Sequence, residues 1–222
     1  MTHTPSPAPQ RGKRRDARGT RERLARAALD LFTTQGYHAS TTPQIAAKAG
    51  VAEGTIYRHF TSKEHLLNEI YRTAVKLFTN AIRETRSQLS CRERLEQVAT
   101  AWRDLAAREP AMVRLVFVSR IGALLDEKSR DAQKELREEL ERLVASGKAA
   151  GDVRPGPVDL WAEVWLRLMM LVLERVASRE WPADHTGPKQ VLESAWDAIR
   201  AQRPVSTPPS PPSAGSPAPD RV

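Results

Sequence analysis

TTPQIAAKAGVAEGTIYRHFTSKEHL, running from Thr41 to Leu66, decides how the rest of the chain is read. Thr42 is suited to cap a short helix with Pro43 at its first position, where the missing N–H costs nothing and φ is already helical. That helix is expected to run to Ala49. Gly50 then supplies the left-handed residue that ends it, Val51 plugs the turn, and a second helix starts near Ala52 or Glu53. Two short helices about a tight glycine turn make a helix-turn-helix. Ile45, Ala49, Val51, Ile56 and Phe60 recur at helical spacing and are expected to face inward. Thr55, Tyr57, Arg58 and His59 are left facing outward.

Hydroxyls, a phenol, an imidazole and a guanidinium on one narrow helix suit the edge of a duplex groove, where most contacts go to phosphate oxygens and a few to bases. Thr61 and Glu64 read as a capping box for a third helix, with Lys63 in its first turn, where the ammonium and the free N–H groups both favour a phosphate.

These residues carry a resemblance. The pattern T-x-x-x-I-A-x-x-A-G-V-x-x-G-T-I-Y-x-H-F-x-S-K-E-x-L, more than a dozen positions agreeing in type and spacing, resembles the DNA-binding head of the TetR family of bacterial transcriptional regulators. The segment GYHASTT, from Gly36, resembles the family's connector ahead of this unit. By the resemblance, Thr42, Thr55, Tyr57, His59 and Lys63 occupy DNA-contacting positions, Tyr57 and Lys63 as phosphate contacts. Gln44 and Arg58 join them as candidates whose alternative is a solvated or ion-paired side chain. The family often has Ser where this chain has Ala52, so an N-cap bond worth about 1 kcal/mol is forgone. Glu53 acts either on the helix dipole or as a base reader accepting from cytosine N4. Gly54 permits close backbone approach.

Charge supports a nucleic-acid partner. The chain of 222 residues carries a net charge of +8; residues 1–63 hold 11 Lys or Arg against 4 Asp or Glu, and the remainder is nearly balanced. A basic head on a neutral body is the footprint of a nucleic-acid binder. One cysteine, Cys91, excludes an internal disulfide framework, no apolar run reaches the length of a membrane span, and the opening lacks a signal-peptide core. The cytoplasm is the expected compartment.

The pattern is all-α throughout. Residues 1–17 read as a disordered basic arm without helical periodicity, which can add phosphate or minor-groove contacts. Residues 18–64 read as the helix-turn-helix domain, its first helix capped by Thr20 and ended near Gln35. Residues 65–203 read as a helical ligand-binding and dimerisation domain, and 204–222, where 7 of 19 residues are Pro, as a disordered tail. A long helix is expected from Lys63 to about Ser87, then helices at Cys91–Arg108, within Met112–Leu125, at Ser129–Gly147 as an edge helix mostly in water, at Val158–Val176, and at Pro188–Gln202. The segment 158–177 is apolar nearly all round, so it needs partners on every side. Segments 158–177 and 188–202 resemble the helix pair of the family's four-helix dimer interface.

The resulting expectation is a homodimeric regulator bound to a double-stranded DNA operator, a repressor released by a small hydrophobic or aromatic effector. Trp102, Phe117, Arg120, Trp161, Trp165 and Met169 are the pocket candidates, their alternative being ordinary core. The rival class is an effector-independent or architectural DNA binder. No cofactor or metal is expected. The five histidines form no metal pair, and a phosphate-binding glycine loop and a nucleophile elbow are both missing, which argues against an enzyme.

Overall fold

The computed structural model describes residues 11–182 and 184–202, with side chains from residue 17 onward. Among these residues the chain is all-helical, and its one piece of β pairing is an isolated antiparallel bridge between Val153 and Arg200. The first ten residues of the basic arm and the Pro/Ser-rich tail lie outside the described residues.

Helix α1 spans Arg11–Thr34, so the basic run 11–17 is helical rather than irregular. Arg, Lys and Ala are good helix formers, and propensity alone extends the helix where no apolar stripe calls for one. Gly36, at φ +92°, turns the chain out of it.

Helix α2 spans Thr42–Lys48 and its cap lies one residue earlier than the sequence suggests. Thr41 is the N-cap, with its hydroxyl accepting from the Gln44 N–H while the Gln44 side chain accepts from the Thr41 N–H at 2.9 Å. This reciprocal box uses up Gln44 and releases Thr42. Gly50 adopts φ +67° and ends the unit as expected. Helix α3 is the single turn Glu53–Ile56, and Ala52 before it makes no side-chain cap bond. Ile45, Ala49, Ile56 and Phe60 are buried with Leu24, Ala28 and Phe32 of α1, each of the Leu, Ile and Phe side chains worth roughly 1.5–3 kcal/mol of transfer free energy when fully buried.

Helix α4 spans Lys63–Arg83. Its cap is Ser62, whose hydroxyl accepts from the His65 N–H at 3.0 Å, and not Thr61, whose N–H donates to His65 Nδ1 at 3.2 Å. The helix stops before the Ser87 expected from periodicity. The Thr85 hydroxyl binds the Ile82 carbonyl, and Ser90 already forms a capping box with Glu93 for the next helix.

The body contains α5 (Cys91–Arg108), α6 (Pro110–Val113), a π-helical turn (Arg114–Val118), a 3-10 turn (Gly122–Leu124), α7 (Glu127–Ala149), α8 (Val158–Ala177) and α9 (Gly187–Ile199). The apolar stretch Met112–Leu125 is thus broken into short turns. Helix α7 is not an edge helix. Its stripe of Leu136, Leu140, Leu143 and Val144 is buried, and it packs along α4, α5 and α8. A narrow apolar stripe suffices because the charged flank also finds partners: Arg83 of α4 meets Glu135 and Glu139 at 2.6 Å each. Cys91 is buried beside Gly147, where an added Cβ would come within 2.5 Å of its side chain. Burial, with a contribution from Asp152, pushes its thiol up to about 11, so it stays protonated at neutral pH.

Head and body meet at α4. Glu69 binds Arg21 of α1 at 2.6 Å and Arg72 at 2.6 Å, and Arg72 forks onto Asp126, the N-cap of α7, at 3.0 and 2.9 Å. Buried Asn68 donates to the Leu124 carbonyl and accepts from the Asp126 N–H. The Arg21 hydrogen bond is the main cause holding the Glu69 carboxyl below its ordinary value of 4.5. A depressed carboxylate pKa adds stability that is complete above the unfolded value and lost as pH falls through the folded one. Urea titrations are therefore expected to show stability dropping below pH 4.5, with a shallower drop in Glu69→Gln than in the wild type.

Candidate nucleic-acid interface and body interior

The residues of the helix-turn-helix converge on one face. The single turn of α3 puts Glu53, Gly54, Tyr57 and Arg58 in solvent, with Thr55 and His59 half-buried beside them. Tyr57 is 55% exposed although Ile56 beside it and Phe60 three residues on are buried. Its hydroxyl lies 3.0 Å from the hydroxyl of Thr42. The one-residue shift of the α2 cap is what frees Thr42 for this pairing. Two hydroxyls, from the start of α2 and the end of α3, thereby form one patch able to donate to phosphate oxygens.

Lys63 departs from the expected geometry. Its ammonium donates to the carbonyls of Tyr37 at 2.9 Å and Ser40 at 2.7 Å and lies 4.2 Å from the Tyr37 ring centroid. Burial lowers its pKa. The side chain here clamps the connector between α1 and α2 and does not reach outward, because the connector's carbonyls lie outside any helix and need donors. Gln44 is likewise committed to the α2 cap.

Other cations of the head are also engaged: Lys48 with Asp30, Arg26 with Glu109 at 3.6 Å, Arg21 with Glu69 and Arg18 with Glu22 at 3.0 Å. Arg58 is exposed and forms no ion pair among the described residues. Sequence spacing gave no sign of this, since pairing depends on α1 and on the body.

The family model described as "Bacterial regulatory proteins, tetR family" matches residues 24–70, which contain this whole unit. Over 211 residues the chain is 31% identical to the HTH-type transcriptional regulator TcmR of Streptomyces glaucescens, covering 86% of this chain and 87% of that one. The chain belongs to the TetR family. It is also 31% identical over 129 residues to the HTH-type transcriptional activator FasR of Mycolicibacterium smegmatis, spanning 53% of this chain and 59% of that relative's length. A TetR-family transcription regulator from Shewanella sp. PV-4 superposes with a TM-score of 0.68 at 25% identity, covering 82% of this chain and 99% of that one. This TetR-family chain is a DNA-binding transcriptional regulator, and its family and relatives are regulators rather than enzymes.

The pocket candidates of the body do not gather into one cavity. Trp102, Phe117 and Trp165 form an aromatic cluster with Phe78, with ring centroids 4.9–6.0 Å apart. Trp102 is fully buried and its indole donates to the Phe78 carbonyl of α4 at 3.0 Å. Met169 is buried in the same core. Trp161 lies apart, against Gly156 and under the Arg154 guanidinium. Arg120 is exposed in the turn after the π-helix. Clefts occur instead along the helix seams: one of about 230 Å³ includes Phe117, Arg137 and Met170, one of about 390 Å³ includes Val176 and Trp181, and one of about 290 Å³ includes Trp165 and Trp196. Periodicity could not separate these, because a tryptophan that fills a core and one that walls a cleft share the same helical face.

For the head, Lys63→Met keeps much of the aliphatic stem and removes two charge-assisted bonds to the connector. Thermal unfolding is expected to show a loss of about 1–3 kcal/mol, an amount that a freely solvated lysine would not produce.

Proposed function

We propose that this protein is a homodimeric repressor that holds a pseudo-palindromic operator and is released by a small hydrophobic or aromatic effector. The observation that carries the dimer is the outer stripe of α8. Leu160 is 47% exposed and Leu171 38%, and half-buried Val164 and Leu168 complete an i, i+4, i+8, i+11 row. Val191 on neighbouring α9 is also only partly buried. A row of this kind buries itself against a second copy of the same helix pair, as an isologous interface requires. Segments 158–177 and 188–202 supply that interface. Two heads on one rigid body then read two half-sites at a spacing set by the body.

At the DNA, Tyr57 and Thr42 bind phosphate through their paired hydroxyls, and Arg58 supplies the free cation of the reading unit. Thr55, His59, Gly54 and Glu53 lie on the same face, within reach of the groove edge. An effector that prefers a body conformation with wrongly spaced heads weakens operator binding by its difference in affinity for the two conformations. Repression follows from occupancy of the operator, and effector binding ends it.

Two sets of variants test the reading on DNA flanking the coding region. Arg58→Ala and Tyr57→Phe are expected to weaken operator binding several-fold while thermal stability stays within about 0.5 kcal/mol, and Arg58→Ala lowers the salt slope by about one. Equal affinity of wild type for operator and random DNA would sink the sequence-specific reading. Leu168→Glu with Leu171→Glu is expected to give a folded monomer in sedimentation that has lost most of its operator affinity. A reporter that falls, rather than rises, when the protein is expressed identifies a repressor.

A further inference from the structure

The end of α8 carries a departure that its capping does not require. Arg179 stands at φ +63°, the one non-glycine residue at positive φ among the described residues. Its N–H bonds the Val176 carbonyl and the Glu180 N–H bonds the Arg175 carbonyl, the pair of bonds that closes a helix on a left-handed residue. Glycine fills that position without steric cost, whereas an arginine is strained there. The guanidinium gains no internal partner in return. It forms no hydrogen bond or ion pair among the described residues, and the adjacent acid, Glu180, is taken by Arg175 and the Ser178 hydroxyl. Arg179 instead lines the cleft of about 390 Å³ between the C-terminal halves of α5 and α8 and the start of α9.

We propose that this cleft is a binding site for a planar aromatic carboxylate, with the anion on Arg179 and the ring against Trp181. Charge decides the anion. The lining holds two guanidiniums, Arg103 and Arg179, and one carboxylate, Asp104, which already pairs with Arg103 at 3.3 Å. Arg179 is the cation left over, and its planar fork suits a carboxylate. The backbone field is mixed, since α8 ends at the cleft and α9 begins there, so the side chains set the preference. Packing decides the ring. His185 stacks on Trp181 at 5.0 Å with the planes 11° apart, and the Gly187 N–H donates to His185 Nδ1 at 2.9 Å. A Cβ at Gly187 would stand 2.9 Å from the indole and 2.7 Å from that nitrogen, so the backbone closes tightly on both rings. The indole is thereby fixed before anything binds, and Val176 and Pro188 extend its apolar surface. The volume lies within the range of small-molecule sites. Val176 stands about a third of a turn around α8 from the row Leu160 to Leu171, which keeps the cleft off the face assigned to the dimer.

The probes are 2-naphthoate and 2-naphthamide, which share one fused ring and differ in charge. Calorimetric titration of the full-length protein is expected to show naphthoate bound about five- to tenfold more tightly, an advantage that shrinks as added salt screens the exposed guanidinium. Arg179→Gly is expected to abolish that preference without lowering the thermal midpoint, because glycine relieves the left-handed strain. Ala107→Trp, at an exposed position on the α5 wall of the cleft, is expected to exclude both probes, and it tests the site by a route that leaves the end of α8 untouched. Equal binding of the two probes by wild type, a preference surviving Arg179→Gly, unaltered binding by Ala107→Trp, or no saturable binding of naphthoate would each overturn the assignment. None of these readouts involves DNA, so the ligand site stands or falls separately from the operator-binding tests above.

Discussion

Glu69 takes Arg21 of α1 on one oxygen and Arg72 on the other, and the register between head and body depends on that carboxylate. Arg72 passes the connection to Asp126, where α7 begins, and Asn68 fastens the preceding turn by its amide. The groups are partly exposed, so their worth lies less in energy than in geometry. Three helices are held at one point of α4. The position of α4 is thereby linked to that of α1, against which the helix-turn-helix packs.

The head spends its charge in a way that composition conceals. An excess of basic residues over residues 1–63 looks like a uniform attraction for phosphate, yet Arg21, Arg26, Lys48 and Lys63 are tied to carboxylates or carbonyls. Their net charge still contributes to the long-range field that draws DNA in. On the outward face of the helix-turn-helix, the paired hydroxyls of Thr42 and Tyr57 and the guanidinium of Arg58, which forms no ion pair among the described residues, stay at least partly open to solvent.

In the body, the aromatic residues divide between packing and cavity lining. Phe78, Trp102 and Phe117 fill the space where α4, α5 and the π-helical turn meet, and the Trp102 indole satisfies itself on a backbone carbonyl. Trp165 belongs to that cluster and also lines the cleft of about 290 Å³ between α5 and α9. The same residue is thus both core and wall, and Trp102 stands between it and the Phe78 carbonyl of α4.

Much was legible from residue order alone. The helix-turn-helix, its inward set of Ile45, Ala49, Ile56 and Phe60, the glycine turn, the all-α class and the extents of α5 and α8 follow from periodicity and from capping and turn chemistry, which act over three or four residues and are written locally in the chain. Adjacent hydroxyls blurred the caps, so that Thr41 and Ser62, not Thr42 and Thr61, start α2 and α4. What tertiary structure alone decided is which partner each polar or aromatic side chain finds: Lys63 on the connector, Gln44 in its cap, α7 drawn into the core, Trp161 set apart from Trp165. Apart from the local Gln44 cap, those outcomes depend on groups distant in sequence, and a side chain's type states what it can bond to without stating what the fold will bring within 3 Å of it.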